Sequence, residues 1–123
     1  EAFIVDQALD NRGSPRDMAD LLATIAQGRC ASGPSCRLML EVLAQQEWRE
    51  RIPAGLPAGL LVANKTGSVA GTSNDAAIVV TPNGVPMVMV IFWKELDREA
   101  TRRADAAIAA VAGVLYDHLG GPA

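Results

Sequence analysis

The sequence lacks an apolar run long enough to cross a membrane, and it contains little lysine and only one histidine. Half of its 123 residues are hydrophobic, but no run approaches the roughly 20 residues that a transmembrane helix needs. The formal net charge is −3, so the composition does not point to nucleic acid or to an anionic membrane surface. No secretory signal is visible, but a chain that starts at Glu1 without Met is expected to be a processed or truncated product, which leaves export open.

Cysteine is also scarce, and this limits the redox and metal chemistry. Cys30 and Cys36 are separated by five residues, and the Gly33-Pro34 pair between them predicts a turn. The pair is a candidate disulfide, which would indicate an oxidising compartment, and the alternative of two free thiols stays open. With His118 far away, the cysteines do not make a zinc ligand set, so we expect no metal and no cofactor.

Apolar spacing and capping residues predict two helices in the first third of the chain and one at its end. Ser14 and Pro15 mark the first helix, which follows a mixed segment of uncertain type at Ala2 to Leu9 and ends at Gly28. A second helix starts near Ser32 and fades near Trp48. The predicted apolar faces are Met18, Leu21, Leu22 and Ile25 in the first helix, Leu38, Met39, Val42 and Leu43 in the second, and Ala104, Ile108, Val111, Ala112, Leu115 and Leu119 in a last helix from Arg98 to Leu119.

The middle of the chain predicts three antiparallel strands, which makes the fold class α+β with helices packed on the sheet. Residues 52–59 are predicted to be irregular because Pro and Gly interrupt every register. The strands run from Leu60 to Ser68, from Asp75 to Thr81 and from Met87 to Trp93, with Pro82-Asn83-Gly84 as a hairpin turn. The third strand is apolar throughout. This favours cover on both faces, and at a sheet edge its apolar groups would be exposed.

The first strand carries the most informative residues, Lys65-Thr66-Gly67-Ser68. A Lys-Thr-Gly triplet on a strand is one of three short motifs of serine β-lactamases and penicillin-binding proteins. Lys65 would supply a fixed positive charge, and the hydroxyls of Thr66 and Ser68 can donate hydrogen bonds to a carboxylate. Gly67 would let a ligand approach the backbone closely. The alternative is an exposed strand lysine beside ordinary strand and turn hydroxyls.

With its flanking segments, the motif resembles the C-terminal half of class A serine β-lactamases. The segments that carry the resemblance are Ser14 to Ala19, Arg51 to Gly59, Val62 to Ser68, Gly71 to Val79 and Pro82 to Gly84. The resemblance implies a single partial domain over residues 1–123, namely the C-terminal half of the β-lactamase/transpeptidase-like fold. It also implies that the absent N-terminal half is a partner and supplies a strand beside the third predicted strand. Asn74-Asp75 matches a frequent family pair that looks structural there.

The resemblance also implies roles for individual residues. Lys65 and Ser68 would be catalytic, with the Ser68 amide as one of two oxyanion-hole donors, and Lys65-Thr66-Gly67-Ser68 would bind substrate. Arg102 and Arg103 would approach the substrate carboxylate, although a solvated helix face is the alternative for them. No serine is followed three residues later by lysine, so the nucleophile is missing and the chain alone is expected to be inactive.

The function that the resemblance implies is hydrolysis of a β-lactam amide through an acyl-serine intermediate, with this chain as one part of the enzyme. The substrate would be a β-lactam or a peptidoglycan-like small molecule, and the protein would be bacterial and periplasmic or secreted. Two alternatives remain, a penicillin-binding D-Ala-D-Ala peptidase and a non-catalytic β-lactamase-like binding module. The Arg-Ile-Pro-Ala-Gly-Leu-Pro loop looks more like β-lactamases, and a glutamate upstream of this chain would discriminate between the first two.

Overall fold

The computed structural model describes residues 12–69 and 71–120, so the predicted segment from Ala2 to Leu9 lies outside the described residues. Its elements are α1 (Pro15–Ala26), α2 (Gly33–Ala44), a 3₁₀ turn (Ile52–Gly55), β1 (Leu61–Gly67), β2 (Ser73–Val80), β3 (Pro86–Trp93) and α3 (Arg98–Leu119). This order confirms the α+β prediction of two helices, three strands and a final helix.

Side-chain caps define where the helices begin. The amide of Asp17 donates to Ser14 Oγ at 3.2 Å, and the amide of Ser14 donates back to Asp17 Oδ2 at 2.7 Å, which forms a capping box at α1. The bond from the Ser14 backbone also lowers the pKa of Asp17. At α2 and α3 the cap is a single bond, in which the side chains of Ser32 and Asp97 accept from the amides of Ser35 and Ala100. Each of the three described α-helices therefore begins directly after a polar residue that caps it.

The sheet has the order β1-β2-β3, and both strand pairs are antiparallel. Helices cover both of its faces, which produces two apolar cores. The core under α1 and α2 contains Leu22, Ile25, Ala63, Ala76 and Ile78. The core under α3 and the 3₁₀ turn contains Ile52, Val62, Ala77, Val79, Met89, Ile108, Ala112 and Tyr116. Successive strand residues alternate between these two cores because the side-chain period of a strand is two.

The predicted helix faces were only partly correct. Leu22 and Ile25 of α1 are buried, but Leu21 is exposed. The prediction for α2 was partly wrong, because Leu43 packs inward as predicted, but the helix ends at Ala44 and Leu38 and Val42 are exposed. The residues of α2 that pack inward are Cys36, Leu40, Leu43 and Ala44. In α3, Val111 and Leu119 are exposed and Tyr116 is buried in their place.

The Pro- and Gly-rich segment after α2 is more ordered than predicted. Ile52–Gly55 forms a 3₁₀ turn, and Ile52 is fully buried against α3 and the sheet. Proline is tolerated here because Pro53 lies in the first turn, where its missing N–H needs no partner. A Cβ atom on Gly55 would lie 1.9 Å from the carbonyl oxygen of Ala109, so glycine allows the turn to contact the backbone of α3 directly.

β3 lies at one edge of the described sheet. This is the position in which we expected the apolar groups of the strand to be exposed. Most of its side chains are half-buried, and Met89 alone among them is fully buried. The hairpin before it is as predicted, with the amide of Gly84 donating to Thr81 O at 2.8 Å and Gly84 at φ +78°. Across the described ranges, none of the helices combines the length and the apolarity that a bilayer crossing requires.

Candidate functional site

The predicted motif lies at the end of β1 and lines an open hollow of about 600 Å³, called here the motif hollow. Lys65 is exposed, and its ammonium donates to the carbonyl oxygen of Thr66. Ser68 follows the last residue of the strand. The lining residues are Trp48, Glu50, Arg51, Lys65, Thr66, Gly67, Ser68, Val69 and Asp105. The four residues of the motif are therefore brought together in one concave surface, with charges of both signs around them.

Arg51 organises this hollow from the loop between α2 and β1. Its Nε donates to Asp105 Oδ1 at 2.7 Å, and its Nη1 donates to Asn74 O at 2.7 Å and Gly67 O at 3.2 Å. Its Nη2 donates to Ser68 Oγ at 2.6 Å. The planar guanidinium can serve these acceptors together because its five N–H donors form a rigid fork. One cation thus joins the end of β1, the start of β2 and helix α3.

Gly67 has no side chain, and none of the residues that the structure describes requires this. A Cβ atom on Gly67 would meet no described heavy atom within 4 Å, and its φ does not lie in the left-handed region. By contrast, Gly55 is required by the backbone of α3. The open space at Gly67 is what a close approach by a ligand or another polypeptide needs.

A buried polar pair, Asn64 and Asp75, lies next to the motif in the sheet. Asp75 lies opposite Thr66 in the sheet and is fully buried. Its carboxylate accepts from the amide of Ile52 at 3.0 Å and from Asn64 Nδ2 at 3.2 Å. Burial raises the pKa of Asp75, although these hydrogen bonds act in the opposite direction. Because Ile52 directly follows Arg51, the bond to Asp75 also fixes the backbone from which the Arg51 side chain projects.

Arg102 and Arg103 do not line the motif hollow. Arg103 pairs with Glu99 one turn earlier on α3, at 2.8 Å, with both side chains largely exposed. It lines a separate surface hollow together with Trp93 and Asp97. Arg102 is exposed on the same helix. Their substrate role stays a prediction, and no described contact links them to the motif.

The two cysteines come together at the start of α2. Cys30 Sγ and Cys36 Sγ are thiols 3.4 Å apart, and Cys30 Sγ also contacts Met39 Sδ at 3.6 Å. Cys36 is buried and Cys30 is exposed. The hydrogen bond with Cys36 raises the pKa of the Cys30 thiol. The pair is thus close enough to react, and the disulfide itself stays a prediction.

Sequence reasoning missed five residues that line the hollow, namely Trp48, Glu50, Arg51, Val69 and Asp105. Arg51 lies within the loop that carries the resemblance, but sequence reasoning assigned it no role in the site. Its partner Asp105 is 54 positions away, so nothing local reveals the pair. An arginine directly before a Pro- and Gly-rich turn that leads into the motif strand was the available signal.

Comparison with known proteins identifies the family. Residues 2–119 match the Beta-lactamase enzyme family. Beta-lactamase Toho-1 of Escherichia coli is 33% identical over 106 residues, which cover 80% of this chain and 36% of that protein. The carbapenem-hydrolyzing beta-lactamase KPC of Klebsiella oxytoca is 29% identical over 110 residues, covering 87% of this chain and 37% of its own length. The chain therefore spans less than half of these relatives.

Solved structures show the same partial match. The structure of PBP-A superposes with a TM-score of 0.81 at 31% identity, covering 92% of this chain and 42% of that chain. The last common ancestor of Gram-negative bacteria class A beta-lactamase gives a TM-score of 0.75 at 33% identity, covering 85% of this chain and 40% of the other. The arrangement of three antiparallel strands with flanking helices is thus that of β-lactamase-like structures, and the chain belongs to the beta-lactamase enzyme family.

Proposed function

We propose that this chain is the C-terminal part of a serine β-lactamase, and that its motif hollow binds the substrate carboxylate. The observation that carries the proposal is the convergence of Lys65, Thr66 and Ser68 on a hollow that Arg51 organises. Family membership supports a β-lactam as the substrate, because the matched relatives are named beta-lactamases.

The contact between Arg51 and Ser68 explains how the hydroxyl is prepared for an anion. Ser68 Oγ accepts a hydrogen bond from Arg51 Nη2 at 2.6 Å, so its own hydrogen is free to point into the hollow. A carboxylate placed there would accept from Ser68 and Thr66 and would lie in the field of two cations, Lys65 and Arg51. Hydrogen bonds to an ionised acceptor are roughly twice as strong as neutral ones.

The Ser68 amide N–H is the oxyanion donor in this proposal. It follows the last residue of β1, at the same end of the strand as the carboxylate site. A serine nucleophile from the preceding part of the protein would attack the lactam carbonyl carbon, and the negative charge would develop on the carbonyl oxygen. The C–N bond would then break with protonation of the nitrogen, and water would release the acyl group. Loss of one oxyanion donor costs about a hundred- to a thousandfold in rate.

The preceding half of the same protein is the proposed partner, and the position of β3 at the edge of the described sheet supports this. The strand is apolar over its whole length, yet most of its side chains are only half-buried. An edge of this kind is a template for another strand, and leaving it open favours aggregation. Residues 1–123 would thus form one part of a larger domain, in a bacterial protein exported to the periplasm or beyond.

The test is to mix this chain with a separately produced N-terminal half of the same protein and to follow nitrocefin hydrolysis. The pair should turn over nitrocefin, whereas neither half should do so alone. Lys65→Ala in this chain should lower the rate at least tenfold, and Lys94→Ala should leave it unchanged because Lys94 is exposed and pairs with Glu95. A folded complex without turnover would refute the β-lactamase proposal and leave either the peptidase discussed below or a non-catalytic binding module.

A peptidase is the second candidate, and one observation favours it. A variant of PBP-A, captured as an acyl-enzyme complex with penicillin G, superposes with a TM-score of 0.74 at 28% identity, covering 93% of this chain and 44% of that chain. The same carboxylate-binding motif would serve a peptide substrate. Mass spectrometry of the mixed halves after penicillin G would separate the two, because a peptidase keeps the acyl group and a β-lactamase releases it.

A further inference from the structure

Trp48 presents a largely exposed indole to the motif hollow. The residue is 66% exposed, and it lines the hollow together with Lys65 and Thr66. Among the described lining residues it is the one aromatic side chain. Binding sites for small molecules combine apolar or aromatic walls with a few well-placed polar groups. The motif supplies the polar groups, and Trp48 supplies the aromatic wall.

The backbone of Trp48 is anchored to the motif strand. Asn64 Nδ2 donates to Trp48 O at 3.2 Å, and Asn64 is fully buried and directly precedes Lys65. Beside it, Arg49 Nη1 donates to Val62 O at 3.4 Å. Two contacts with β1 thus fix the loop from which the indole projects. A tryptophan with a fixed backbone has only two side-chain torsions left to order when it contacts a ligand.

We propose that Trp48 forms an aromatic subsite beside the carboxylate-binding motif, and that the preferred ligand carries both a carboxylate and a planar aromatic ring. This inference rests on the proposed function of the motif and names the class of ligand that the hollow selects. The ring stacks on the exposed indole while the carboxylate contacts Thr66 and Ser68. Aromatic pairs add about two- to tenfold in affinity beyond the area that they bury.

The inference can be tested by NMR titration of the full chain, observing the tryptophan indole N–H signals. The chain has two tryptophans, so Trp93→Phe assigns the signal of Trp48. The probes are 6-aminopenicillanic acid, which has the bicyclic carboxylate without an aromatic ring, benzylpenicillin, and nitrocefin, whose aromatic ring lies beside the carboxylate. At least one ring-bearing probe should bind about two- to tenfold more tightly than 6-aminopenicillanic acid and should shift the Trp48 signal.

Two variants separate stacking from general binding. Trp48→Ala should abolish the preference for the ring, so that the affinities for the ring-bearing probes and for 6-aminopenicillanic acid become equal, whereas Trp48→Phe should keep part of the preference. Trp93→Phe is the matched control, because Trp93 lines a different hollow. A preference that survives Trp48→Ala, or equal affinity for all three probes, overturns the subsite and leaves the carboxylate site intact. The proposed function is overturned as well if none of the three probes binds and if Lys65→Ala does not change the rate of nitrocefin hydrolysis by the mixed halves.

Discussion

Replacing Arg51 by alanine should destabilise this chain far more than replacing Arg103 by alanine. Both arginines pair with an acidic residue of α3, namely Asp105 for Arg51 and Glu99 for Arg103. The side chain of Arg51 is 12% exposed, and it donates to Asp105, Asn74 O, Gly67 O and Ser68. Hydrogen bonds from a charged donor contribute about 1.5–3 kcal/mol each when both groups are protected from water. Asp105 is 50% exposed and Gly67 and Ser68 face the hollow, so water replaces part of what is lost.

One protected contact therefore remains, the bond to Asn74 O, and Arg51→Ala should lower the free energy of unfolding by about 1.5–3 kcal/mol. Arg103 and Glu99 are 78% and 64% exposed, so Arg103→Ala should cost only about 0.3–0.5 kcal/mol. Urea unfolding followed by far-UV circular dichroism measures both. Arg51→Lys should recover little, because an ammonium cannot reach the separate acceptors that the fork serves. Equal losses for Arg51→Ala and Arg103→Ala would refute the view that Arg51 organises the hollow.

Three further predictions concern packing, redox state and pH. Gly55→Ala forces a Cβ against a backbone oxygen of α3 and should cost about 1–3 kcal/mol or more in urea unfolding, whereas Gly13→Ala enters open space and should be neutral. Glutathione disulfide should oxidise Cys30 and Cys36 to a disulfide with release of two glutathione thiols. This closes a seven-residue loop and should stabilise the chain by about 2 kcal/mol in thermal melts, reversibly with dithiothreitol; an unchanged melt would contradict it. Burial raises the pKa of Asp75 above 3.8, so the protonated carboxyl favours the folded state. Its contribution to the free energy of unfolding is full below pH 3.8 and is lost as the pH rises through the pKa of the folded state. Asp75→Asn should remove this fall in stability with pH, and an unchanged pH profile would contradict the assignment.

The sequence predicted the order and type of the elements well, because local signals determine them. Caps such as Ser14 satisfy the first amides of a helix, and the hairpin turn at Gly84 requires a left-handed residue. The buried face of α2 was not predictable in the same way. Both Leu38 with Val42 and Cys36 with Leu40 fit the helical period, and the choice depends on where the sheet lies. Periodicity defines a stripe, and only tertiary packing selects between two stripes of similar apolarity.

The site shows the same division between local and distant information. The motif was identified from four consecutive residues, and the structure places all four in one hollow. The cation beside it was assigned to α3 on the basis of resemblance, whereas the structure finds Arg51 there, with its acidic partner Asp105 on α3. A pair separated by 54 positions leaves no local pattern, and its two members become neighbours only after the 3₁₀ turn packs on the helix.

Three features of the chain have no explanation in the packing of the described residues, and they divide into two kinds. Gly67 is glycine where neither its backbone angles nor its described neighbours require it, and Trp48 exposes an indole in the same hollow. Both are explained by a small ligand that approaches β1. β3 is an apolar edge on the opposite side of β2, so a ligand in the hollow cannot cover it, and a strand from another polypeptide can. The two explanations are independent. A mixed complex that protects the amides of β3 from hydrogen exchange, yet leaves Trp48 open to titrated ligand, would require both a polypeptide partner and a separate ligand site.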